Sequence, residues 1–222
     1  MHRHERPQGI QGVTIKRMLF LLLAVVPVLG WADDAVLSEL LTRIRQTSQA
    51  QFHYDETRLL ELADKPWHGQ GYMLSGADGS LVKLQLQPAR VIMAIAEQRM
   101  LYWDPQQNQR HSAALDSAGP AGEQIKVFRS ILQGRTEELQ LNYAIAAEKQ
   151  GPQWTLRLTP KPELSGDDLP SIEISGDDKD EQRRILIKQS DGESTEYRIQ
   201  KATAAQQQDY SLPRLLREAS GE

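Results

Sequence analysis

A chain of 222 residues without one cysteine has no disulfide, no thiolate metal site, no thiol nucleophile and no cysteine to carry a lipid. Its net charge is −4, and because the first 32 residues hold four Lys/Arg against one Asp/Glu, the rest stands at −7, without the basic footprint of a nucleic-acid binder. The remaining stretch of about 190 residues fits one domain with a real hydrophobic core.

In chain order, Lys16 and Arg17 precede an apolar run from Met18 to Gly30, and the small residues Gly30 and Ala32 stand at −3 and −1 of an expected cut before Asp33. That order of charge, apolar run and small residues is a secretory signal, and the run falls short of the roughly 20 residues that a membrane span needs. The expected organisation is a signal over 1–32, one domain over 33–200 and a polar C-terminal tail over 201–222. The acidic pair Asp33 and Asp34 opens a predicted helix from Ala35 to Gln51, with Val36, Leu37, Leu40, Leu41 and Ile44 on one face.

From Phe52 the period becomes two. Val82, Leu84 and Leu86 alternate with Lys83, Gln85 and Gln87, which predicts one apolar and one wet face; Trp154, Leu156 and Leu158 do the same, as do Ile172 with Ile174 and Ile185 with Ile187. Residues 90–96 and 99–103 are apolar on both faces, which places them mid-sheet or under helices. Asp78-Gly79 and Asp191-Gly192 carry hairpin chemistry. A second helix is predicted over Glu123 to Gln133, with Ile125, Phe128, Ile131 and Leu132 as its stripe. The tail ends in the amphipathic piece Leu212-Pro213-Arg214-Leu215-Leu216, which either folds back on the sheet or stays mobile. About ten strands joined by tight turns must be antiparallel, with no βαβ rhythm for a nucleotide fold.

Three segments in order carry a family resemblance: Phe52-His53-Tyr54-Asp55-Glu56-Thr57-Arg58 with Pro66-Trp67-His68-Gly69-Gln70-Gly71-Tyr72; Gln87-Pro88 through Ile95 with Leu101-Tyr102-Trp103-Asp104-Pro105; and Ile131-Leu132-Gln133-Gly134 with Trp154-Thr155-Leu156-Arg157-Leu158-Thr159-Pro160. Together they resemble the LolA-like carriers of the Gram-negative periplasm, over about residues 52–200. The resemblance implies an incomplete antiparallel β-barrel wrapped around a helical lid, an α+β and mostly β fold whose apolar inner face shields acyl chains between inner and outer membrane. It also implies a periplasmic monomer that meets an inner-membrane donor and an outer-membrane acceptor, with no cofactor and no enzymatic activity. The family's Arg-Pro step after the first hairpin is absent: Met73-Leu74-Ser75-Gly76-Ala77-Asp78 stands there, so the chain resembles a branch related to LolA whose cargo is a lipoprotein, another lipid or a glycolipid.

The physical reading runs the same way. Two helices cannot cover the inner face of about ten strands, which leaves part of it as a cavity or ligand surface. The expected inward set is Val82, Leu84, Leu86, Val91, Met93, Ile95, Trp103, Trp154, Leu156, Leu158, Ile172, Ile174, Ile185 and Ile187; the same alternation would equally build a packed core. Phe128, Ile131 and Leu132 are lid candidates, and Met73, Met93 and Met100 suit variable tails. Arg58 is a candidate for the missing lid arginine, or a surface arginine. His53, His68 and His111 share no metal-ligand spacing, and Asp177-Asp178-Lys179-Asp180-Glu181 lacks the EF-hand order; it reads as a solvated hairpin tip, as does Asp167-Asp168. No hydrolase or phosphate-loop motif occurs. Two other readings stand beside the carrier: a lipid-sensing or envelope-assembly module that binds a partner protein, and a hydrolase with a dispersed site.

Overall fold

The computed structural model describes residues 31–45, 49–117, 125–131, 135–164, 169–207 and 210–222. The expected signal run, Leu132 and the Asp167-Asp168 pair lie outside the described residues. Helix α1 (Trp31–Ile44) starts before the expected cut and ends earlier than predicted, because Ala50 and Gln51 already pair with Ser75 and Leu74 as the first strand. Tertiary pairing overrides helical propensity there.

Eleven strands form one open antiparallel sheet: β1 (Ala50–Leu59), β2 (Trp67–Ser75), β3 (Leu81–Gln87), β4 (Val91–Ala96), β5 (Arg99–Asp104), β6 (Gln109–Ala114), β7 (Tyr143–Gln150), β8 (Gln153–Pro160), β9 (Ser171–Asp177), β10 (Arg183–Lys188) and β11 (Ser194–Lys201). Their spatial order is β6-β5-β4-β3-β2-β1-β11-β10-β9-β8-β7. The β1–β11 pair joins the first strand to the last, and β6 and β7 remain the two edges, so the barrel is incomplete. The two hairpin signals act as read: Asp78 and Asp191 accept the backbone N–H two residues on, while Gly79 and Gly192 take φ of 82° and 92°.

Directly paired residues share a sheet face, so the register sorts every side chain. The inner face carries Tyr54, Glu56 and Arg58 of β1, Met73 of β2, Lys83 of β3, Met93 and Ile95 of β4, Tyr197 and Ile199 of β11, and the apolar rows of β7 to β10. Helix α1, helix α2 (125–131) and helix α3 (Thr136–Asn142) contribute Leu40, Leu41, Ile44, Val127, Ile131 and Leu139 to one buried cluster with Leu156, Leu158, Ile172, Ile174 and Ile187. Gly176 lies opposite Trp154 with no room for a Cβ, which would sit 2.5 Å from the indole.

The outer face has its own core. Tyr72, Leu74, Val82, Leu84, Ile92, Ala94 and Leu101 are covered by Leu212, Leu215 and Ala219 of helix α5 (Leu212–Ser220), which follows the short helix α4 (Ala204–Gln207). The amphipathic end of the chain thus folds back on β3 to β6, held also by Arg90, which donates two hydrogen bonds to the Glu218 carboxylate at 2.5 and 2.9 Å. Strand β4 is apolar on both faces for this reason, one face meeting α5 and the other the interior.

Candidate functional site

Among the described residues the three inner-face helices fill the β7–β10 side. Over β1 to β5, β10 and β11 they leave a partly open cavity of about 470 Å³, with Ile125 and Phe128 of α2 as its helical wall. Its apolar lining includes Phe52, Met73, Leu81, Met93, Ile95, Met100, Tyr102 and Ile199. Cross-strand pairing sets two of its rows: Phe52, Met73, Lys83, Met93 and Tyr102 run across β1 to β5, and Ser75, Leu81, Ile95 and Met100 run beside them.

One polar cluster stands in that wall. Glu56 has no exposed side-chain surface; its carboxylate accepts from Lys83 Nζ at 2.5 Å, Arg58 Nε at 2.7 Å and Tyr197 Oη at 3.0 Å. Lys83 Nζ also lies over the Tyr54 and Tyr197 rings, 5.2 and 5.1 Å from their centres, and the Arg58 guanidinium lies 4.6 Å from the Trp67 ring centre. Burial alone would raise the Glu56 carboxyl, but Lys83 and Arg58 outweigh it and hold it below the usual carboxylate range. Burial pushes the Lys83 ammonium down, with Glu56 opposing, and pushes the Tyr197 phenol up. A buried charge persists only with such partners.

The sequence-predicted site residues therefore fall into three groups. Met93, Ile95, Ile185, Phe128 and Arg58 line the cavity, together with the predicted adaptable methionines Met73 and Met100. Val91 lies on the same face, farther along β4. Trp154, Leu156, Leu158, Ile172, Ile174, Ile187 and the lid candidate Ile131 also face inward, but in the packed core beneath the helices. Leu84, Leu86 and Trp103 point the other way, and their expected inward orientation is corrected: the β2–β3 and β4–β5 registers place them on the outer face with α5, where Arg110 covers the Trp103 ring at 4.0 Å. Val82 borders the cavity, yet its side chain belongs to that outer core. Lys83, expected on a wet face, is the inner residue of β3. Both faces of the strand are covered here, so a polar residue does not mark the solvent side. Arg58 contacts Glu56 and Trp67 on β1 and β2 rather than a helix among the described residues.

Sequence reading missed Glu56, Lys83 and Arg183. The signals available were the doubly apolar β4, which implies a covered face on both sides of its neighbour β3, and the amphipathic tail, which needs a sheet face of its own. Of the hairpin-tip residues, Asp178 bonds Arg43 of α1 and accepts from Lys149 at 3.1 Å. Among the described residues no group of three potential ligands is placed to hold a metal ion, and no helix is long and apolar enough to cross a membrane.

Fold and cavity define the class: an open antiparallel half-barrel with helices inside it and an apolar cavity carrying a buried ion pair. No protein-family model matches the chain, and no curated protein matches it significantly. Among solved structures it is similar to a LolA superfamily protein of Nitrosomonas europaea, at 10% identity and a TM-score of 0.42 over 82% of this chain and 98% of that one. It is also similar to a domain of an outer membrane lipoprotein-sorting protein from Vibrio parahaemolyticus (10%, 0.43, 81% and 96%). A third similarity is to the Pseudomonas aeruginosa MucA/MucB complex (14%, 0.40, 82%), of whose matched chain this protein spans 59%. The fold stands on its strand pairing.

Proposed function

We propose that this protein is a periplasmic carrier that shields the acyl chain of a lipid or lipoprotein between an inner-membrane donor and an outer-membrane acceptor, without catalysis. The observation that carries the reading is the 470 Å³ apolar cavity between the inner sheet face and α2. Its size lies within the roughly 300–1,000 Å³ of small-ligand sites. A tail of about ten methylenes gains on the order of 8 kcal/mol by leaving water, before ordering costs. The methionines at 73, 93 and 100 give a wall that adapts to different chains. Phe128 and Ile125 form its helical side, whose movement widens the opening for entry and release.

Native mass spectrometry of protein recovered from the periplasm, with uptake of a fluorescent fatty acid by the stripped protein, tests the reading. Lipid adducts and saturable uptake at one site are expected. Neither adduct nor uptake over repeated preparations would sink it.

A further inference from the structure

We propose that Arg183 anchors the guest's head group, and that the guest is a single-chain amphiphile ending in a carboxylate or phosphate monoester. This rests on the carrier reading and names its ligand class. Arg183 opens β10, lies on the inner face opposite Ile199, and lines the cavity half-buried. Its guanidinium makes no hydrogen bond or ion pair with a described residue. Its neighbour Arg184, on the outer face, is in contrast held by Glu196 at 2.8 Å and Glu173 at 3.5 Å.

The carboxylates around the neighbouring Arg43 are already engaged. Asp178 and Glu39 take Arg43 and Lys149. The other two cations of the lining, Arg58 and Lys83, share Glu56. Glu193, the acidic lining residue, sits at the β10–β11 hairpin, the far end of a six-residue strand and so roughly 17–20 Å away. Exposed Glu181 attracts Arg183 only at a distance, while burial and the like charge of Arg43 disfavour its cationic form. An unpaired, partly desolvated guanidinium is costly, and an anion in a bidentate pair removes that cost. With the head there, the rows of Met73, Met93 and Met100 give the tail a path across β1 to β5, apolar apart from Ser75 and from Lys83, whose ammonium is taken by Glu56, with a width of about 19 Å.

The test is direct titration of the stripped protein with palmitate, hexadecyl phosphate and the neutral 1-monopalmitoylglycerol, for wild type, Arg183→Gln, Arg183→Lys and the outer-face control Arg184→Gln. At least a tenfold preference for one or both anionic heads is expected, lost in Arg183→Gln, reduced in Arg183→Lys, which keeps the charge but not the bidentate fork, and kept in Arg184→Gln; the better of the two anions identifies the head. Equal binding of neutral and anionic chains by wild type overturns the anchor while leaving the carrier reading intact. So does a preference that survives Arg183→Gln. Failure of all three chains to bind overturns the carrier reading itself, and the anchor with it. The wild-type head-group comparison decides the matter even if a variant does not fold.

Discussion

The two sides of the sheet use the same apolar alternation for different ends. Over β7 to β10, helices α1 to α3 seat Leu40, Ile44, Val127 and Leu139 against the inner rows and close them as core. On the other half of the sheet α5 covers β3 to β6 from the outer face, and among the described residues the inner rows of β1 to β5 meet one side of α2. A β-strand's alternation specifies that a face is buried, not what buries it. Whether an apolar row is core or cavity depends on which helices reach it.

The sharpest way to break the comparison is a charge on each side of β3. Leu84→Glu puts an unpartnered carboxylate into the fully buried outer core, and the protein is expected not to fold, seen as loss of a cooperative thermal transition. Lys83→Glu leaves Glu56 facing a second carboxylate with only Arg58 to compensate, and a loss of about 3–5 kcal/mol by urea denaturation is expected. An unchanged midpoint would show that Glu56 is not buried in solution. The same pair predicts the acid response. The folded-state pKa of Glu56 is depressed, so its contribution is fully present above the ordinary value of 4.5 and is lost as pH falls through the lower folded value. Urea midpoints measured from pH 6 down to pH 3 should fall more steeply in wild type than in Glu56→Gln.

Next comes the contrast of core with cavity. Leu156→Ala, under the helices, should cost about 3 kcal/mol without a specific effect on acyl uptake. Met93→Glu, on the cavity wall, should cost about 1 kcal/mol or less and abolish uptake of a fluorescent fatty acid. Should Met93→Glu bind normally, the tail does not lie along β4. The smallest effect belongs to the outer side: Arg90→Ala removes the pair with Glu218 and should loosen α5 by about 1 kcal/mol, detectable as faster proteolysis of the C-terminal segment.

Much of the fold was legible because it is local. Alternation marked the strands, Asp78-Gly79 and Asp191-Gly192 marked turns that indeed use positive φ, and the absence of βαβ spacing gave an antiparallel sheet. The site was only partly legible. Met73, Met93, Ile95, Met100 and Phe128 were among the residues singled out, and all line the cavity. Leu84 and Leu86 were assigned to the wrong side because Lys83 and Gln85 were read as marking a wet face of β3, which fails where both faces are covered; Trp103 lies on a strand apolar on both faces, whose alternation does not say which face is inner.

The sequence by itself determined the strands, their turns and the apolar surplus, since propensity and period act within a few residues. Only the tertiary structure decided which face α5 would take, that Lys83 would meet Glu56 across 27 positions of chain, and that Arg183 would make no ion pair with a described carboxylate. Those outcomes depend on register and helix docking, which bring together residues that no local pattern connects.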